Sequence, residues 1–174
     1  MDISTFIYCP YCGSALTSGG CKNCHRTLYS SPHPNVCLLT VTSDRQILLV
    51  KEKKPDRESE PNWELPGGFA DVIAGERSVG ESLETALQRE IEEELGPQNA
   101  RALMRNLSYL TSRGDTYRDG TPIVVAYYVT EARRQELSPS QNASVDLGWF
   151  EIDDLPTFEY SSDRDAIDYF KERF

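Results

Sequence analysis

The stretch that decides the fold opens with Trp63-Glu64-Leu65-Pro66-Gly67-Gly68-Phe69 and closes with Arg89-Glu90-Ile91-Glu92-Glu93-Glu94-Leu95-Gly96-Pro97. Good helix formers fill residues 81–95, and Gly96-Pro97 is a stop signal, so a helix is predicted over 81–95. At about 100° per residue, Leu87, Ile91 and Leu95 share one apolar stripe, and Glu90, Glu93 and Glu94 flank that stripe instead of opposing it. Like charges at such spacings repel, and carboxylates in the last turn oppose the helix dipole. Spacing alone leaves two readings open. One is a solvated acidic face; the other is a site where a hard divalent cation compensates the charge.

The rest of the chain narrows the choice. It has 174 residues, with 18 Lys and Arg against 28 Asp and Glu, a net charge of -10. That length suits one ordinary domain with a small attachment. The acidity argues against broad, sequence-independent nucleic-acid binding, although an acidic protein can still bind phosphates through metal. No apolar run reaches the ~20 residues of a membrane span, and the start, Met1-Asp2-Ile3-Ser4-Thr5, lacks the basic and apolar parts of a secretory signal. The expectation is a cytoplasmic protein with no membrane partner.

Two Cys-x-x-Cys units, Cys9/Cys12 and Cys21/Cys24, stand in a Gly-, Ser- and Pro-rich segment, residues 1–32, that cannot build an apolar core of its own. Four thiolates converging from two tight turns suit structural Zn²⁺, which four sulfurs close off from chemistry. A redox Cys-x-x-Cys needs a βαβ setting that is absent, and disulfides are disfavoured in a reducing compartment. His25 reads as a solvated neighbour of the quartet. Cys37, in an apolar strand, reads as an inert core thiol.

Residues 30–34 read as a stiff connector. Residues 36–42 and 47–50 predict a hairpin around Ser43-Asp44, and residues 53–62 a polar loop. Trp63-Glu64-Leu65 predicts a short strand broken by Pro66-Gly67-Gly68. Further strands are expected over 103–112, 123–130 and 145–152, a polar loop over 113–121, and an amphipathic helix over 163–174 with Ala166, Ile167 and Phe170 on one side.

Pro66-Gly67-Gly68 followed by Gly75-x5-Glu81-x7-Arg89-Glu90-Ile91-x-Glu93-Glu94-x-Gly96 resembles the signature of the Nudix hydrolases. The resemblance implies an α/β/α sandwich with a mixed sheet, over residues 33–174, preceded by a zinc ribbon over 1–32. It implies that Glu90, Glu93 and Glu94 hold Mg²⁺ or Mn²⁺ while Arg89 and Glu81 pair to orient the cluster. Gly68 stands thirteen residues before Glu81, where the family has six before its first glutamate, so a seven-residue insertion is read between them. Glu76 is the alternative occupant of the role given to Glu81. Pro97 departs from the aliphatic residue usual at the last position.

A ribbon before such a domain is similar to the NADH pyrophosphatases and a related ribbon-bearing group. The Ser-Gln-Pro-Trp-Trp-like motif of the former is absent from residues 100–107, which does not support NADH specificity. The implied reaction is hydrolysis of the phosphoanhydride in a nucleoside diphosphate linked to another moiety, of dinucleotide, ADP-ribose or FAD type. NADH pyrophosphatase activity or NAD-cap removal from RNA is the alternative, the latter needing a basic groove that this acidic chain does not reveal. A non-catalytic nucleotide-sensing module is the alternative of another class, and the resemblance also allows a homodimer. Gly67, Gly68, Phe69, Arg113 and Arg118 are the expected substrate contacts. Asp115, Asp119, Glu131 or one of the helix glutamates would serve as base, and Trp63, Phe69, Tyr109, Tyr117 and Phe158 are aromatics able to stack on a nucleobase.

Overall fold

The computed structural model describes residues 7–17, 20–26, 31–53, 63–73, 79–134, 137 and 145–174. The expected hairpin is present as β1 (His33–Val41) and β2 (Gln46–Glu52). Its turn is closed by Thr42, whose N–H donates to Gln46 O and whose Oγ1 accepts from Gln46 N, both at 2.9 Å, with Arg45 left-handed at φ 61°. β1 starts at His33, so the expected connector already carries strand: His33 and Pro34 lie beside Ile123 and Val124 in a parallel pairing.

β3 is Gly67–Phe69, two residues beyond the expected strand. Glu64 and Trp63 make only single bridges, to Val50 and Phe158, because Leu65 and Pro66 turn the chain from β2 toward β1. The stretch read as an insertion carries a separate pairing of two short strands, β4 (Val72–Ile73) with β5 (Val79–Gly80). The helix follows as α1 (Leu83–Leu95), started by Ser82, whose side chain accepts from Thr85 N. Glu81 therefore lies just outside it.

A second helix, α2 (Pro97–Leu103), replaces the expected stop and the first residues of the next strand. Gly96 at φ 88° breaks α1, and Pro97 then occupies the first position of a new helix, where its missing N–H costs nothing. Asn99 secures the corner by donating to Leu95 O at 2.7 Å, and Ala100 and Leu103 are buried. After a short 3₁₀ turn, β6 (Ser108–Thr116) extends into the expected polar loop. It is an edge strand, so its polar residues face solvent without interrupting pairing with β7 (Pro122–Glu131). β8 (Val145–Glu151) and α3 (Ser161–Lys171) complete the fold.

The sheet runs β6-β7-β1-β2-β8, with β3 added on β1. It is mixed: β1 is parallel to β7 and antiparallel to β2 and β3. Strand alternation sends Val36, Leu38, Leu48 and Val50 to one face, against Leu87, Ile91 and Leu95 of α1. Cys37, Leu39, Ile47 and Tyr127 go to the other, against Ala166 and Ile167 of α3. Each fully buried Leu or Ile contributes ~1.5–3 kcal/mol through removal from water. The two layers place the C-terminal half of α1 and the N-terminus of α3 on opposite sides of β3. Among the described residues, no helix is long and apolar enough to cross a membrane.

Candidate active site

β3 positions the site through two glycines that act differently. Gly67 has φ 153°, and a Cβ there would lie 2.1 Å from Val36 O and 2.8 Å from Cys37 Cα. Only glycine allows this approach of β3 to β1. The Gly67 N–H donates to Glu94 Oε2 at 3.2 Å, tying strand to helix. At Gly68 the three atoms nearest to a Cβ all belong to the Glu90 carboxylate, with Cδ at 2.4 Å. The missing side chain of Gly68 is the space that the Glu90 carboxylate occupies.

Arg89 organises the helix side. Its Nη2 donates to Phe69 O at 2.8 Å and to Glu81 Oε2 at 3.0 Å, and its Nη1 to Glu90 Oε1 at 2.7 Å. Glu93 lies 3.5 Å and Asp71 3.6 Å away. Glu81, its side chain 7% exposed, also accepts from Asp71 N at 3.1 Å, and its own N–H donates to Asp71 O. The expected Arg89–Glu81 pair is thus formed at the foot of the β4–β5 ribbon; Gly75 and Glu76 lie outside the described residues. The Arg89 hydrogen bond holds the Glu81 carboxyl below its ordinary range.

Burial raises the Glu90 carboxyl despite Arg89, and raises Glu94 well above the usual range, with the charges of Glu64 and Glu90 adding to the effect. These carboxylates face a cavity of about 230 Å³ lined also by Phe69, Tyr117, Arg118 and Asp163. Its acids far outnumber its cations, and their donor atoms are all oxygens, so the set fits a hard divalent cation. Arg89 holds Glu90 and Gly67 holds Glu94, which spreads the carboxylates along the wall.

A family model described as NUDIX domain matches residues 31–170. The chain belongs to the Nudix family. It is 26% identical over 161 residues to the NAD-capped RNA hydrolase NudC of Vibrio vulnificus, covering 87% of this chain and 53% of that protein. An Escherichia coli protein of the same name is 26% identical over 155 residues, with 86% and 53% covered. The chain thus spans about half the length of the curated relatives it matches. Among solved structures, the MutT NUDIX hydrolase from Burkholderia pseudomallei superposes with a TM-score of 0.60 at 28% identity, covering 80% of this chain and 98% of that one. The NUDIX domain of Shewanella oneidensis NrtR, solved with ADP ribose, superposes at 0.57 with 23% identity over 83% and 90%.

In this Nudix domain, Gly67, Gly68, Phe69 and Arg118 line the cavity together with Glu90, Glu93 and Glu94. Arg118 is already engaged: it donates to Glu52 and lies 2.8 Å from Glu159 and 4.0 Å from Glu64. Arg113 lies elsewhere, bonded to Thr111 Oγ1 and stacked 5.0 Å over Tyr169 of α3. Phe69 and Tyr117 meet edge to face at 5.0 Å within the cavity wall. Trp63 packs on Phe150, and Tyr109 meets Tyr128 away from the cavity.

Of the acids expected as base, the helix glutamates line the cavity, and Asp115, Asp119 and Glu131 are not among its lining residues. Asp115 accepts from Ser162 N at the start of α3, and Asp119 accepts from Thr121 N in the β6–β7 turn. Glu131 ends β7, at the opposite end of the sheet. Three other acids line the cavity, Glu52, Asp163 and Glu64, of which Glu52 accepts from Arg118. Asp163, 2% exposed, accepts from Leu65 N at 2.9 Å and Tyr127 Oη at 2.8 Å. Glu64 follows the bridge from Trp63. Their signals were present: Asp163 precedes Ala166, Ile167 and Phe170 by three, four and seven residues, a carboxylate on the apolar stripe, and Glu64 interrupts an apolar run next to Pro-Gly-Gly.

The four ribbon cysteines have their sulfurs all within 4.8 Å of one another, with Cys9–Cys24 at 3.7 Å and Cys12–Cys21 at 3.4 Å. A tetrahedron with metal–sulfur bonds of about 2.3 Å has edges of about 3.8 Å, so the quartet is shaped for one metal ion. Each unit turns through a left-handed residue after its second cysteine, Gly13 at φ 71° and His25 at φ 56°. The N–H of each donates back to the first cysteine, Gly13 to Cys9 O and His25 to Cys21 O. His25 thus serves by its backbone. Cys37 is buried, and burial pushes its thiol well above the ordinary value.

Proposed function

We propose that the protein is a metal-dependent pyrophosphohydrolase that cleaves the phosphoanhydride of a nucleoside diphosphate linked to another moiety. The observation that carries this reading is the Arg89 fork, which ties Phe69 O and Glu90, both at the cavity wall, to Glu81. Glu90, Glu93 and Glu94 would hold Mg²⁺ or Mn²⁺, and Cys9, Cys12, Cys21 and Cys24 would hold Zn²⁺ in a ribbon over residues 1–32. When bound, the divalent ions neutralise charge on the reacting phosphate and acidify water. Glu94 must lose its proton to serve, so binding is favoured as pH rises. Phe69 and Tyr117 offer ring edges and faces to a nucleobase, and Gly68 leaves the space that the Glu90 carboxylate fills.

The names of the curated relatives favour a NAD-type diphosphate, free or at an RNA 5′ end, and the ADP ribose in the NrtR structure supports the same class. The test is a panel of NADH, NAD⁺, ADP-ribose, FAD and nucleoside triphosphates with Mg²⁺ or Mn²⁺, products being separated by ion-pair chromatography. Turnover of a dinucleotide or ADP-ribose, abolished in Glu93→Gln, is expected. Binding of all without turnover would favour a sensing module.

A further inference from the structure

Hydrolysis needs a group that takes a proton from the attacking water, and among the described residues that line the cavity the candidates narrow to one. Glu90 is held by Arg89, and Glu94 is held by Gly67. Glu52 is bonded to Arg118 at 2.8 Å. Both oxygens of Asp163 are occupied, one by Leu65 N and the other by Tyr127 Oη. Glu93 is 62% exposed and lies 3.5 Å from Arg89. Glu64 differs from all of these. Its side chain is 22% exposed, and among the described residues the cation paired with it is Arg118 at 4.0 Å, beyond hydrogen-bond distance. Its backbone is clamped on both sides by Val50, with N–H to O distances of 2.9 and 3.0 Å, so the carboxylate is presented from a rigid point of the sheet.

From this geometry we infer that Glu64 is the general base of the reaction, resting on the hydrolase reading above. A water molecule in the cavity attacks a phosphorus of the anhydride. As the new O–P bond forms, the water O–H bond breaks and its proton passes to a Glu64 oxygen. The P–O bond of the anhydride breaks, and its electron pair stays on the departing phosphate oxygen. The sheet-anchored backbone sets where the proton acceptor stands, while a neighbouring helix carries the three carboxylates assigned to metal, so the two tasks fall to different elements.

The groups facing Glu64 are Asp163 of α3, Arg118 of the β6–β7 turn, Glu52 of β2 and Glu159 before α3; Glu94 of α1 feels its charge in turn. Burial, with Asp163 adding, pushes the Glu64 carboxyl up to about 7, Arg118 acting the other way. A base with that value is ionised above neutrality and loses its capacity in acid, so wild-type kcat should fall as pH drops below neutrality.

The test is Glu64→Gln in the full chain, assayed on the substrate that the panel identifies, with Mn²⁺ binding followed separately by titration without substrate. At saturating Mn²⁺, where metal binding does not limit the rate, general-base loss predicts a fall in kcat of about 10²- to 10³-fold, KM within about twofold, and a pH profile without the acid limb near 7. Mn²⁺ affinity should match wild type. Loss of Mn²⁺ affinity in parallel with activity would overturn the inference by making Glu64 a metal ligand, and a kcat within a few-fold of wild type would overturn it directly. If Glu64→Gln does not fold, Glu64→Asp decides: it withdraws the carboxylate by one methylene and should lower kcat while keeping the acid limb, and an unchanged kcat refutes the role. An inactive wild type that binds nucleotides would instead defeat the hydrolase reading, and this inference with it.

Discussion

Gly68→Ala separates catalytic geometry from stability. The added Cβ would stand 2.4 Å from Glu90 Cδ and 2.5 Å from Oε1. Ordinary carbon contacts lie at about 3.5–4.0 Å, so the carboxylate must retreat by roughly 1 Å. It is the far end of a flexible side chain, and Gly68 carries no left-handed backbone requirement, so the fold should lose no more than about 1 kcal/mol, a fall in Tm of about 2–4 °C. The site is less forgiving. The displaced carboxylate loses its 2.7 Å bond from Arg89, and a misplacement of about 1 Å at a reacting centre costs on the order of 10²-fold. Thermal unfolding and steady-state hydrolysis of ADP-ribose or NAD⁺ with Mn²⁺ would be measured side by side. Gly67→Ala is the control: its Cβ meets Val36 O and Cys37 Cα, which are backbone and cannot yield, so that variant should lose stability first. Wild-type kcat in Gly68→Ala, or a loss of Tm as large as that of Gly67→Ala, would refute the assignment of Gly68 to the Glu90 carboxylate.

Arg89→Lys keeps the charge but not the planar fork that joins Phe69 O, Glu81 and Glu90, so kcat should fall by about tenfold or more with little change in KM; equal activity would show that charge alone suffices. Burial raises Asp163 to about 7, above its unfolded value, so its contribution to stability is full below about pH 4 and is lost as pH rises through about 7. At ~1.4 kcal/mol per pH unit that loss is at most about 4 kcal/mol, and Asp163→Asn should flatten it in urea titrations at pH 4 and 7; an unaltered pH dependence would count against the buried carboxyl as its source. Elemental analysis should find one zinc per chain, lost in a Cys9→Ser, Cys24→Ser double variant; two zinc ions, or retention in the double variant, would contradict the four-sulfur site.

Much of this was legible in the chain. The stripe of Leu87, Ile91 and Leu95 with glutamates beside it depends only on helical periodicity, and the cysteine spacing only on the reach of two tight turns. Helix α2 was not legible because Gly96-Pro97 reads equally as an end and as a beginning; the apolar surface that buries Ala100 and Leu103 decides between them. The polar end of β6 was hidden for a related reason, since an edge strand satisfies its backbone through one neighbour and leaves its side chains free to be hydrophilic.

The sequence by itself determined the chemistry of the wall: which residues are carboxylates, which arginine lies among them, and which two positions carry no side chain. Tertiary structure decided which acids stand free. Asp115 and Asp119 look as available in the sequence as Glu64, but the first caps α3 and the second closes a turn. Glu64 is brought to the cavity by sheet contacts with Val50, remote in the chain from α1. Hydrogen-bond partners distant in sequence set whether a carboxylate is structural or reactive, and no local pattern encodes them.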